Sequence, residues 1–196
     1  MKALEWVIAQ EGVEKPSQFY CETRDVAQAR VEKMRPDFIA HKWSDDESGL
    51  LAAIAGELTG NCFDHNLGNW PNLPGCWFEY EVDDSSFRMV IADRGRGVLK
   101  TLRQVRPELK DDHEALGVAF TEIVTGRAPE QRGNGLKFVI RSLGLLHGLQ
   151  SFLFVSGNAA LRLSGKVDII DVLRYIAEAD TTVSGTYVEL SVRKNI

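Results

Sequence analysis

From Leu50 onward, apolar side chains recur as Leu50, Leu51, Ile54 and Leu58, a spacing that gathers them on one face of a helix. Ser44-Asp-Asp-Glu47 reads as a capping box that opens this helix, and the pattern carries it through Asn61 towards His65. Before it, Arg24 to about Ile39 predicts another helix, with Val26, Ala29, Arg30 and Lys33 suitably spaced and Pro36 interrupting the pattern. The period then changes to alternation. Trp77-Phe-Glu-Tyr-Glu-Val82 predicts a half-buried strand, Asp83 to Ser86 a turn, and Phe87 to Ala92 the second arm of a hairpin.

Residues 98 to 132 form a connection long enough to hold structure of its own. Asp111-Asp-His-Glu114 caps a short helix there, with Leu116, Phe120, Ile123 and Val124 sharing a face and an end near Gly126. Leu136, Val139, Ile140 and Leu143 predict a helix after Gly135, with Gly148 as its stop. Ser151 to Ser156, the turn Gly157-Asn158 and Ala159 to Ser164 read as a second hairpin, and Tyr187 to Val192 alternates as the closing strand. Two stretches stay open: the opening residues to Gly12 suit a strand or a helix, and Val167 to Ala179 combines helical spacing with β-branched residues. Hairpins separated by helices imply the α/β class: a two-layer α/β sandwich, with a mixed, mostly antiparallel sheet and one helical layer.

Composition narrows the partners. A chain of 196 residues with 44% hydrophobic side chains suits a single domain with one core, residues 1–43 forming an N-terminal extension. The net charge of -5 and the lack of a dense basic patch predict no nucleic acid and no membrane partner. The basic residues from Arg94 to Arg106 suit either phosphates or water. Cys21, Cys62 and Cys76 lack the paired spacing of a zinc site and the density of a disulfide scaffold, so reduced thiols are expected. Glu5 breaks the apolar N-terminal run, and no stretch is long enough to span a bilayer, which predicts a cytoplasmic protein.

Five short segments carry candidate chemistry. On a helix, Glu57, Asn61 and His65 fall four apart and form one polar stripe. An Asn carbonyl with phosphate oxygens and waters makes a reasonable magnesium shell, and a carboxylate one turn earlier can deprotonate an attacking water or hydroxyl. The same stripe also fits a solvated helix face. Asp93-Arg-Gly95-Arg-Gly97 follows a strand, where an ionised carboxylate can accept a hydrogen bond from the adenine amine and Gly95 and Gly97 allow close backbone approach. An ordinary strand-ending turn has the same composition. Arg132-Gly133-Asn134-Gly135-Leu136 opens a predicted helix whose amides and dipole favour polyphosphate, with Arg127 and Arg132 adding charge. It is neither a Walker loop nor a Rossmann fingerprint. Gly185-Thr186 precedes the last predicted strand.

The order of these pieces resembles the GHKL family of ATPases, over roughly Ser44 to Val192. Glu57-Leu-Thr-Gly-Asn61 is similar to the family's N box, Asp93 to Gly97 to its first glycine box, Gly133 to Leu136 to its second, and Thr186 to the threonine that approaches adenine. The resemblance implies that Glu57 is the general base, Asn61 the magnesium ligand, Asp93 the adenine reader and residues 98–132 the ATP lid. His65, four residues beyond Asn61, makes the stand-alone serine kinases of the anti-sigma-factor type the most similar branch.

Departures qualify it. Asp64 stands where histidine kinases commonly place a lysine, no histidine-bearing dimerisation helix precedes the domain, and the connection is longer than in short anti-sigma kinases. The implied activity is that of an Mg-ATP-binding regulator that phosphorylates a hydroxyl on a partner protein or slowly hydrolyses ATP. The alternative is a nucleotide-gated interaction module, with Leu116, Phe120 and Ile123 supplying apolar contacts. The partner's identity and the oligomeric state, a homodimer included, stay open.

Overall fold

The computed structural model describes residues 2–9, 18–66, 70–122, 135–165 and 169–194. Its elements are α1 (Ala3–Ile8), β1 (Tyr20–Cys21), α2 (Arg24–Ala40), α3 (Asp45–Asp64), β2 (Cys76–Val82), β3 (Ser86–Asp93), α4 (Gly97–Leu102), α5 (Asp112–Thr121), α6 (Gly135–Leu145), β4 (Leu149–Ser164), a 3₁₀ turn (Ile169–Tyr175) and β5 (Ile176–Arg193). The strands pair in the order β1-β2-β3-β5-β4, and every described pairing is antiparallel. The molecule is an α/β sandwich.

Local chemistry sets the helix ends. Ser44 accepts the Glu47 N–H at 3.2 Å and donates to the Glu47 carboxylate at 2.8 Å, so α3 starts at the expected N-cap. Leu51, Ile54, Ala55 and Leu58 line its buried face, with Leu50 partly buried at the margin. Asp111 caps α5 through the Glu114 N–H at 2.8 Å. In α2 the buried residues are Ala27, Met34 and Phe38, whereas Val26 points outward, 45% exposed. Pro36 does not interrupt this helix. It lies on the exposed side of the helix, and the flanking Met34 and Phe38 are fully buried.

Helices α2, α3 and α6 form the expected layer on one face of the sheet, and the six-residue α1 adds cover on part of the other. Trp77 and Phe78 are neighbours pointing opposite ways, yet both are buried. Phe78 joins Met89, Ile91, Val188 and Leu190 beneath α2, α3 and α6. Trp77 joins Val90, Ala92 and Tyr187 beneath Ala3, Trp6 and Val7 of α1. The opening segment is helical over Ala3–Ile8, which explains why β2 and β3 are more buried than alternation predicted.

A straight strand as long as β4 would extend roughly 50 Å. Instead the Gly165 N–H donates to the Gln150 carbonyl at 2.8 Å, so the end of β4 returns beside its start. The reversal falls at Gly157, whose φ of 61° suits a tight turn, and at Asn158. β5 pairs with both arms: Gln150 lies opposite Val192 and Ser156 opposite Thr186, whereas Ala159 lies opposite Glu178. Within the open stretch 167–179, Ile169–Tyr175 form the 3₁₀ turn and β5 starts at Ile176; residues 167 and 168 lie outside the described residues.

α5 belongs to the core. Leu116 and Phe120 are buried there, and Phe120 packs edge-on against Phe154 with ring centroids 5.2 Å apart. In this structure their apolar surface is spent against β4 and the main core. Ile123 and Val124 lie outside the described residues.

Candidate functional site

Helix α3 delivers the first group of polar residues to the end of the sheet. Glu57 and Asn61 are half-buried, and His65 is exposed at the C-cap. Burial pushes the Glu57 carboxyl up, and the nearby Asp64 charge adds to the shift. Asp64 in turn pairs with Arg24 of α2. Gly135, the first residue of α6, sits so close to Glu57 that a Cβ there would overlap Glu57 Oε1. The side chain of Glu57 thus meets the start of α6, where a helix favours negative charge.

Asp93 ends β3 and is 2% exposed. Its Oδ1 accepts from Asn66 Nδ2 at 3.0 Å and from the Gly95 N–H at 2.8 Å, and its Oδ2 accepts from the Thr186 hydroxyl. Thr186 is the register partner of Asp93 across β3 and β5, inside a strand rather than ahead of one. Burial pushes the Asp93 carboxyl up, while the hydrogen bonds from Thr186, Gly95 and Asn66 pull it down. Cys76 lies opposite Asp93 in the sheet, and Cys62 of α3 touches the same carboxylate.

Two residues of this network were not singled out in the sequence. Asn66 is buried just beyond α3; it donates to the Cys62 carbonyl at 2.8 Å as well as to Asp93, and its Oδ1 accepts the Arg96 N–H at 2.8 Å. A Cβ on Gly95 would overlap the Asn66 amide, so glycine is required for this approach. Ser156, at the tip of the first arm of β4, accepts the Val98 N–H and donates to the Gly185 carbonyl, both at 2.9 Å. Gly97 has φ 73° and starts α4 between these partners. Neither residue falls on the i, i+4 stripe of α3 or inside a glycine segment. The available signal was the cluster of side-chain amides and hydroxyls at predicted element ends.

Arg94 faces away from this network. It is 5% exposed and donates to the carbonyls of Trp6, Val7 and Ala9, closing the C-terminus of α1 on the opposite face of the sheet. Its charge is consumed there rather than offered to phosphate. Leu136 is partly buried against the main core. Arg127, Arg132, Gly133 and Asn134 lie outside the described residues.

The structure therefore brings Glu57 against Gly135, and Asp93 against Gly95 and Thr186, with α3 linking the two groups. Glu57 and Asn66 are nine residues apart in sequence, roughly 14 Å at the helical rise. Two cavities, of about 250 and 190 Å³, are lined by none of these residues; the smaller lies between α2 and α3. Among the described residues, no three His, Cys, Asp or Glu side chains cluster to hold a metal ion, and no helix is long and apolar enough to cross a membrane. No protein-family model matches the chain, and no curated protein or solved structure matches it significantly.

Proposed function

We propose that this protein binds Mg-ATP along α3, with the base at Asp93 and the phosphates towards Glu57 and the start of α6, and that it transfers the γ-phosphoryl group to a hydroxyl on a partner protein or to water. The reading rests on the resemblance to GHKL ATPases. The observation that supports it most is the buried Asp93 carboxylate, tied to α3 by Asn66 and to β5 by Thr186 while Glu57 of the same helix abuts Gly135. A carboxylate at the first and a carboxylate base at the second suit the two ends of a nucleoside triphosphate.

The donor set fits magnesium only with help from the ligand. Asn61 would supply one hard oxygen and the phosphates and water the rest, consistent with the absence of a protein carboxylate cluster among the described residues. Magnesium at this position would neutralise phosphate charge. Glu57 would take the proton of the attacking hydroxyl as its oxygen bonds to the γ-phosphorus and the bond to the β-phosphate oxygen breaks, releasing ADP. The raised affinity of Glu57 for a proton brings it closer to the working range of a general base.

Turnover of γ-labelled ATP tests the assignment. Glu57→Ala is expected to keep ATP binding and to lose phosphate release or transfer by about 100-fold or more. Equal turnover in the variant and the parent would remove Glu57 from the chemistry.

A further inference from the structure

We propose that Asn66 is the positioning residue of the base-binding end: it touches no ligand, yet its amide sets the orientation and ionic form of Asp93 and anchors the glycine segment to α3. The inference rests on the nucleotide reading above. Every polar atom of this side chain is engaged. Nδ2 donates to Asp93 Oδ1 and to the Cys62 carbonyl, and Oδ1 accepts the Arg96 N–H. One buried amide thus joins the end of α3, the end of β3 and the turn that leads to α4.

The chemistry follows from which atoms remain. Asn66 and the Gly95 N–H saturate Oδ1, so Oδ2, shared with the Thr186 hydroxyl, is the acceptor left for a ligand amine. An ionised carboxylate selects a base edge that donates, as adenine does, over one that accepts, as guanine does at the same position. Among the described residues, the groups facing Asp93 are the Cys62 thiol from α3, the Cys76 thiol from β2 and the Thr186 hydroxyl from β5. Both thiols stay neutral: for Cys62, burial and Asp93 outweigh a hydrogen bond from Cys76 that pulls it down, and for Cys76, hydrogen bonds with Cys21 and Cys62, together with burial, push it up. Arg94 is turned to the other face of the sheet. The hydrogen bonds from Thr186, Gly95 and Asn66 therefore oppose the burial that favours the protonated acid.

Asn66→Asp, equal in size, separates positioning from packing. In the parent, adenine binding needs ionised Asp93, so affinity falls as pH falls through its raised pKa. In Asn66→Asp the order inverts: at low pH a shared proton replaces the lost amide donor, and at high pH two adjacent carboxylates repel, so affinity falls as pH rises. Calorimetry with Mg-ATP over a pH series is expected to show this inversion and a loss of about tenfold or more at the alkaline end. Asn66→Asp binding like the parent at every pH would overturn the proposal.

Amide hydrogen exchange keeps the two claims apart. If the parent does not bind Mg-ATP, the nucleotide reading fails, and the positioning claim is read without ligand from the Gly95 and Arg96 amides. Their exchange is expected to accelerate about tenfold or more in Asn66→Ala relative to the parent. Unchanged protection would overturn it. Should Asn66→Ala not fold, Asn66→Leu, close in size and without a polar atom, carries the same measurement.

Discussion

Asp93 and Arg94 are neighbours in the chain and opposites in use. On the face packed by α3, Asp93 is an acceptor held by donors from three segments. On the other face, Arg94 is a donor spent on the last carbonyls of α1, with its guanidinium 5.8 Å from the Trp6 ring centroid. A strand alternates its side chains, so one charged pair serves two layers. The lesson is that a glycine-rich segment with two charges is not automatically a site on both counts: Arg94 is explained by structure alone, whereas the ligand role of Asp93 is the proposal that the variants below test.

Removing Arg94 gives the largest expected effect. Arg94→Ala leaves the carbonyls of Trp6, Val7 and Ala9 without their donor, and about 3 kcal/mol of stability is expected to be lost in urea denaturation. Arg94→Lys is not expected to restore it, because an ammonium lacks the planar fork that reaches several carbonyls. A loss below about 0.5 kcal/mol would mean that α1 stays docked without Arg94.

Gly95→Ala tests the other side of the strand. The added methyl group overlaps the Asn66 amide, and about 2 kcal/mol is expected to be lost, with faster exchange of the Arg96 amide. An unchanged melting temperature would show that Asn66 can withdraw freely.

The comparison also shows what a single chain of letters reveals. Ser44 and Asp111 accept amides within one turn, so their caps were legible. The β2–β3 hairpin was legible for the same reason, its turn being held by Asp83 through the Ser85 and Ser86 amides at 2.7 Å. Trp6 and Trp77 are 71 positions apart in the chain, and nothing local announces that α1 roofs the second face of the sheet. Glu57, Asp93 and Thr186 were named from their segments. Asn66 was not, because its importance lies in bonds to residues 27 and 30 positions away.

A smaller effect belongs to binding. Asp93→Asn replaces an acceptor facing Thr186 by an amide, and Mg-ATP affinity is expected to fall about tenfold, near 1.4 kcal/mol, read by titration calorimetry. Arg94→Lys, in the fraction that remains folded, is expected to leave that affinity within about twofold. Equal losses in both variants would erase the distinction between the two residues.

The smallest effect is a gain. Gly49 lies exposed within α3, with open space where a Cβ would stand, so Gly49→Ala is expected to add about 0.8 kcal/mol of stability. The opposite signs at Gly49 and Gly95 would distinguish an idle glycine from one pressed against Asn66.

The central claim is that Asp93 reads a base that donates a hydrogen bond. Titration calorimetry of the unmodified protein against Mg-ATP and Mg-GTP, under one set of conditions, tests it most directly. Saturable binding of Mg-ATP is expected, about tenfold or more tighter than any binding of Mg-GTP. No heat of binding with Mg-ATP, or equal affinity for the two nucleotides, would contradict it.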